Sequence, residues 1–294
     1  MELPEFEIER VLTHEEGQKT IGDTVPDNEP NVNEAGIYRD KDTGEVILVY
    51  MPYPGNVSDL RNAVLKTGMS TTLRSSGVRN MSRTFGMASR SVVLKRESCR
   101  PASLAWDFPQ AQMVLNGAAE ALGNTLKELL PEIHEHDSAV LEQVLPEWRM
   151  TEDSLWTSGV INQSSQLPYH RDRANFETWS AMPVVRRGMS GGHLTFPEYG
   201  ITVNCRDGWA LYFNGNRYVH GVTPMTAKTK DGYRYSIVFY ALRGMKDCHT
   251  YAVEVGEARK RRTEREIKMA EFPAGGITGS TSGRSSGSVR ITKK

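Results

Sequence analysis

Trp209-Ala-Leu-Tyr-Phe-Asn-Gly-Asn-Arg-Tyr-Val-His-Gly-Val222 and, after a short polar break, Tyr233-Arg-Tyr-Ser-Ile-Val-Phe-Tyr-Ala-Leu242 decide the fold. Both runs are rich in β-branched and aromatic residues, and Gly, Asn and Asp interrupt them too often for helices. Asn214-Gly215 lies between two apolar runs and reads as a turn. Working outward, the same texture predicts strands at 156–162, 178–185, 193–196, 201–204, 209–213, 218–222 and 233–242. Upstream, 45–52 reads as a buried strand, and Ser58 as the cap of a short helix ending near Gly68. Leu115, Ala118, Leu122, Leu126 and Leu129 share one helix face, and Pro131 ends that helix. A second helix is expected between Ser138 and Pro146. Short strands following helices predict an α+β chain with a double-stranded β-helix core, jelly-roll-like and backed by helices.

The chain has 294 residues, 38% of them hydrophobic, enough for one large domain with appendages. Its charge is uneven. Residues 1–59 carry 14 acidic and 4 basic side chains, whereas 60–294 carry 32 basic and 22 acidic ones. Four segments are expected: an acidic flexible leader at 1–34, a catalytic domain at 35–250, a charged helix at 251–271, and a flexible basic Gly/Ser tail at 272–294. Residues 70–104 read as a basic loop with Arg74, Arg79, Arg83, Arg90, Lys95, Arg96 and Arg100. The longest apolar run, 46–53, is too short to span a bilayer, and the first sixteen residues lack a secretory pattern. The expectation is an intracellular protein without a membrane partner. Its place would be the cytoplasm of a bacterial or phage-infected cell, or the nucleus of a eukaryotic one. Cys99, Cys205 and Cys248 are odd in number and widely spaced, which predicts neither a disulfide framework nor a zinc ribbon.

His170-Arg-Asp172 carries the chemistry. On a strand, residues i and i+2 point the same way, so the imidazole and the carboxylate can reach one metal. His220, in the strand-like Tyr-Val-His-Gly-Val, can supply the third ligand. Two histidines and one carboxylate are the facial set of non-haem Fe(II) oxygenases, with zinc or manganese as alternatives for the same ligands. Three coordination positions remain for a chelating 2-oxo acid and molecular oxygen. Alternation puts Arg234 and Ser236 on one side of a strand that otherwise reads as core. A buried guanidinium there suits the distal carboxylate of 2-oxoglutarate, and the Ser236 hydroxyl can add a hydrogen bond. A lone His-x-Asp is usually a surface pair. The ordered combination with His220 and Arg234 is much more specific.

On these residues the chain resembles the TET/JBP family of nucleic-acid-modifying dioxygenases, over roughly residues 70–245. His170-Arg-Asp-Arg-Ala-Asn175 resembles the family's His-x-Asp-x-x-Asn, and Arg234-Tyr-Ser-Ile-Val-Phe-Tyr240 resembles its Arg-x-Ser-Leu-Val-Phe-Tyr. Gly191-Gly-His-Leu-Thr-Phe-Pro-Glu-Tyr-Gly200 is similar to the compact phage, fungal and kinetoplastid members. The resemblance implies Fe(II) held by His170, Asp172 and His220, 2-oxoglutarate anchored by Arg234, and DNA as substrate. It also implies that Asn175 contacts the target base and Tyr240 stacks on it. Where animal members carry a His two residues after that Tyr, this chain has Leu242. The expected reaction converts 5-methylcytosine in DNA to 5-hydroxymethylcytosine, with thymine to 5-hydroxymethyluracil as the alternative. Arg186 and Arg187 are expected in a Gly-rich hairpin loop, neutralising phosphates. Two other readings stay open: a 2-oxoglutarate oxygenase acting on a protein, like a prolyl hydroxylase, or on a small molecule, and a catalytically inactive nucleic-acid-binding module.

Overall fold

Val46–Pro52 is apolar without alternation because both of its faces are buried. Leu48 and Tyr50 pack into one hydrophobic cluster and Val49 and Met51 into another, so the strand separates two cores. The computed structural model describes residues 2–73, 79–92 and 94–271. The tail at 272–294 and Arg74 lie outside the described residues.

The strands are β1 (Glu5–Ile8), β2 (Gly36–Asp40), β3 (Val46–Pro52), β4 (Ser70–Leu73), β5 (Arg79–Ala88), β6 (Arg100–Pro101), β7 (Ser158–Gln163) and β8 (Leu167–His170), followed by β9 (Ser180–Arg187), β10 (Met189–Gly191), β11 (Leu194–Phe196), β12 (Ile201–Val203), β13 (Trp209–Phe213), β14 (His220–Val222), β15 (Met225–Ala227) and β16 (Tyr233–Tyr240). The helices are α1 (His14–Lys19), α2 (Val57–Lys66), α3 (Ser103–Asp107), α4 (Pro109–Leu129), α5 (Pro131–Leu141) and α6 (Tyr251–Glu271). A large sheet runs β1-β2-β3-β13-β9-β16-β7-β5-β4, with β6 attached to β5, and a small one runs β12-β11-β14-β8. The two face each other across a core that includes Leu48, Met182, Val184, Leu194, Phe196, Val203, Leu211 and Phe213. This is the double-stranded β-helix. The outer face of the large sheet packs Val49, Ala181, Tyr212, Ile237 and Phe239 against Leu115, Leu122 and Leu126 of α4. Each of those leucines is fully buried, worth roughly 1.5–3 kcal/mol apiece.

Alternation along β16 therefore fixes the site. Tyr235, Ile237 and Phe239 belong to the helix-side core, whereas Val238 packs into the core between the sheets. Arg234 and Ser236, in phase with Val238, point between the sheets.

Several expectations give way. The acidic leader is not loose along its length. β1 pairs in parallel with β2, and Thr13 forms a capping box with Glu16 at the start of α1. Arg10 reaches the buried carboxylates of Asp40 (3.3 Å) and Glu198 (2.7 Å), which ties the segment to the small sheet's β11–β12 connection. Within 70–104 the structure forms β4 and β5, and β5 pairs with β7 along six residues. Its two arginines, single serine and glycine disguised a strand. The second helix begins at Pro131, the first helical position, and contains Ser138 in its interior. Asn56, not Ser58, caps α2. Cys99 and Cys248 form a disulfide and Cys205 is buried and free. Spacing along the chain could not foresee that pairing across 149 residues. Among the described residues no helix is long and apolar enough to cross a membrane.

Candidate active site

His170 ends β8 and His220 begins β14, and the two are direct cross-strand partners on the small sheet. Asp172 follows β8 by two residues. Its Oδ1 lies 3.8 Å from His170 Nε2 and its Oδ2 lies 3.8 Å from His220 Nε2. The ligand atoms of the three residues fall within 4.8 Å of one another, close enough to hold one metal ion. Both imidazoles are oriented in the same way. His170 Nδ1 is 2.8 Å from the carbonyl oxygen of Pro168, and His220 Nδ1 is 3.0 Å from that of Tyr218. A carbonyl can only accept, so each Nδ1 carries the proton and each Nε2 keeps its lone pair for the metal.

The turn Asn214-Gly215-Asn216 holds the carboxylate arm. The Asp172 N–H donates to Gly215 O (2.9 Å), and Asn216 Nδ2 donates to Asn175 O (2.8 Å). A Cβ on Gly215 would stand 2.8 Å from Asp172 Oδ2 and 3.2 Å from His220 Cε1. This sequence was expected to be a turn, and it is one. Its bracing of the His170, Asp172 and His220 group became visible only in three dimensions.

Arg234 is 0% exposed, yet its Nε, Nη1 and Nη2 have no hydrogen-bond partner among the described residues. A buried, unpaired cation is too costly to persist without a missing anion. Gly192 (φ +72°) lies against its side chain. Ser236 is buried on the same strand face, two residues along. His193 lies within electrostatic reach of Arg234, a neighbour the sequence reading did not single out although it stands in the quoted Gly-Gly-His stretch. Burial, then the charges of Arg186 and Arg234, push its imidazole down to about 4. Its Nδ1 accepts the Cys205 N–H (3.3 Å), so the neutral ring carries its proton on Nε2 as a donor.

The residues expected to meet the substrate divide. Asn175 forms an isolated bridge with Leu242, and Phe176 N–H donates to Ala241 O. The backbone thus brings Asn175 beside the end of β16, near Tyr240 and three residues from Asp172. A cleft of about 880 Å³ opens on His170 and is lined by Gln163, Ser164, Gln166, Arg171 and Arg173. Neither Asn175 nor Tyr240 lines it. Arg186 is not in a hairpin loop. It lies on β9 opposite Arg234, and its guanidinium donates inward to the carbonyls of Cys205 (3.0 Å) and Met189 (2.7 Å). Arg187, the next residue, is exposed, paired with Asp231 and placed over the Tyr233 ring.

A double-stranded β-helix with these donors is the chassis of Fe(II)- and 2-oxoglutarate-dependent dioxygenases, and this chain is such an oxidoreductase. The model of the TET/JBP oxygenase domain, the oxygenase domain of the 2OGFeDO superfamily, matches residues 91–243, and the chain belongs to that family. No curated protein matches it. Among solved structures, NgTET1 in complex with 5mC DNA is similar in fold, with a TM-score of 0.56, 16% identity, and 77% of this chain and 86% of that one covered. A 2OG-Fe(II) oxygenase family oxidoreductase from Burkholderia pseudomallei has a TM-score of 0.42 at 15% identity, covering 67% of this chain and 88% of that one. A prolyl hydroxylase from Trichoplax adhaerens, in complex with a hypoxia inducible factor fragment, has a TM-score of 0.39 at 11% identity, covering 68% of this chain and 84% of that one. The cofactor set of the superfamily is Fe(II), 2-oxoglutarate and molecular oxygen, and the donor set fits it: two imidazoles and one carboxylate suit Fe(II).

Proposed function

We propose that this chain hydroxylates the 5-methyl group of a pyrimidine in DNA, with 5-methylcytosine as first substrate and thymine as second. The observation that carries the oxygenase assignment is Arg234, fully buried with no hydrogen-bond partner for any of its three nitrogens among the described residues. His170, Asp172 and His220 would hold the iron by one face. Arg234 would take the distal carboxylate of 2-oxoglutarate through its planar fork, with the Ser236 hydroxyl and the His193 Nε2–H as further donors. Bound iron with 2-oxoglutarate and oxygen supplies the oxidation: the methyl group gains one oxygen atom, and 2-oxoglutarate leaves as succinate and carbon dioxide.

The protein's part is positioning. Nδ1–H bonds to backbone carbonyls keep both imidazoles aimed at one point, and the Gly215 turn fixes the carboxylate. The DNA reading rests on three supports: the family, the fold shared with a protein described in complex with 5mC DNA, and the proximity of Asn175 to the Tyr240 end of β16. A methyl group inside a duplex is reached only if its nucleotide leaves the stack. Tyr240 would stack on the extruded base, and the Asn175 amide would read its edge, since an amide can donate or accept. Leu242 offers no hydrogen bond.

The deciding experiment is mass spectrometry of nucleosides after incubating the protein with Fe(II), 2-oxoglutarate and DNA containing both thymine and 5-methylcytosine. 5-Hydroxymethylcytosine is expected as the main new nucleoside. 5-Hydroxymethyluracil alone would move the assignment to thymine. Succinate release with no new nucleoside would move it to a protein or small-molecule substrate.

A further inference from the structure

Two of the described arginines between β4 and α3 are neutralised by carboxylates. Arg83 pairs with Asp107 and Arg90 with Glu254. Arg96 and Arg100 differ. Neither guanidinium has a side-chain partner among the described residues, whereas Arg96 Nε shares with Arg83 Nε the lack of a hydrogen bond in a buried position. Burial holds the Arg96 guanidinium below its ordinary value and Arg100 pushes it further down, while Tyr240 opposes both.

These residues converge through the sheet. Tyr240 stands opposite Ser158, and Ser158 opposite Gly86, across β16, β7 and β5. Two residues beyond Gly86, Ala88 pairs with Arg100. Arg96 sits on a two-stranded bridge with Ser91, its N–H and C=O each bonded to Ser91 at 2.8 Å. From the other side, the Cys99 N–H donates to the buried Glu254 carboxylate (2.9 Å), and the Cys99–Cys248 disulfide fastens the same segment. The backbone that carries both arginines is therefore held in place at the end of the sheet where Tyr240 lies.

Two like charges within electrostatic reach repel, and taking one partly out of water adds to the cost. An anion between them reverses both penalties. A phosphodiester fits best, because each guanidinium can give it two parallel N–H bonds. We propose that Arg96 and Arg100 clamp one phosphate of the DNA strand beside Tyr240 and so fix the backbone of the nucleotide that enters the site. This rests on the DNA reading above.

The test is fluorescence anisotropy of the full chain on methylated duplexes of two unrelated sequences across a series of salt concentrations. The variants are Arg96→Gln, Arg100→Gln, the double substitution and Arg96→Lys, with Arg83→Gln as control and the thermal midpoint as the check on folding. Loss of one phosphate contact lowers the slope of log K against log salt by about 0.9. The double variant should lose about that much slope, and roughly ten- to a hundredfold in affinity on both sequences alike. Arg96→Lys should keep the slope with a smaller affinity loss, and Arg83→Gln should change neither. An unchanged slope in the double variant, with the parent still binding and oxidising DNA, overturns the clamp and leaves the DNA reading standing. A parent that neither binds nor oxidises DNA overturns both.

Discussion

Gly192 lies directly against the side chain of Arg234: a Cβ built on it would stand 2.7 Å from Arg234 Cδ and 3.0 Å from Nε. The φ of Gly192, +72°, is also one that side-chain-bearing residues adopt only at a cost of roughly 1–2 kcal/mol. Gly192→Ala should therefore push the guanidinium off its position and raise the 2-oxoglutarate half-saturation about tenfold or more, with a lower thermal midpoint. Titrating 2-oxoglutarate in a succinate-release assay measures this. A variant with parental half-saturation would separate Arg234 from the cosubstrate. Arg234→Ala should do more damage than Arg234→Lys, because lysine restores the charge without the fork.

The same reasoning applies to iron at Gly215. A methyl group there meets Asp172 Oδ2 at 2.8 Å and the His220 ring at 3.2 Å. The carboxylate would have to swing aside, and disturbing the groups that orient metal ligands typically costs 10- to 100-fold in affinity. Gly215→Ala should raise the Fe(II) half-saturation by about that factor with little effect on 2-oxoglutarate at saturating iron. Asp172→Ala should abolish turnover at any iron concentration. Equal iron dependence in Gly215→Ala and parent would show that the turn does not position the ligand.

The metal group was legible because its parts are local patterns: His-x-Asp on one strand end, and a histidine within an apolar strand. The burial of Arg234 and Ser236 on one strand face was legible because polar residues in phase on a core strand are conspicuous. What the sequence hid was long-range. β5 is Arg79–Ala88, rich in Ser, Arg, Thr and Gly, and it becomes a strand because β7 offers it a continuous edge. The acidic leader docks because Arg10 finds Asp40 and Glu198, residues remote in sequence. Arg186 and Arg187 look alike in a sequence, yet the pleat sends one inward beside Arg234 and the other to the surface.

That divergence is testable. Arg186 donates to two backbone carbonyls and lies across from Arg234, so Arg186→Ala should lower stability by about 1–3 kcal/mol by orphaning those carbonyls, and should raise the 2-oxoglutarate half-saturation. It should leave the salt dependence of DNA binding unchanged. Arg187 is already paired with Asp231 at the surface, and Arg187→Ala should change stability by less than about 1 kcal/mol. Denaturant unfolding together with salt-titrated DNA binding checks both. A flatter salt dependence in Arg186→Ala would return that residue to the phosphate-contacting role expected from its sequence context.

Asp137 predicts a pH effect on stability. The residue lies on the buried face of α5 and is fully buried, accepting the Trp179 N–H (2.7 Å) with His136 Nδ1 at 3.0 Å. Burial pushes its carboxyl up from the ordinary 3.8 to about 6, against the opposing pull of the Trp179 N–H and His136. The folded state therefore holds this proton more tightly than the unfolded state does. Below about pH 4 both states are protonated and the contribution is fully present; it is lost as pH rises through about 6, where the folded carboxylate must ionise in a dry site. Two pKa units correspond to about 3 kcal/mol, and partial compensation by His136 makes roughly 1–3 kcal/mol the reasonable expectation. Asp137→Asn keeps an oxygen to accept the Trp179 N–H and cannot ionise. It should raise the thermal midpoint at about pH 8 by some 2–4 °C per kcal/mol gained, and the advantage should shrink towards zero near pH 4. Thermal unfolding of parent and variant across that range measures the difference. An advantage that stays constant with pH would mean that packing, and not the buried ionisation, separates the two.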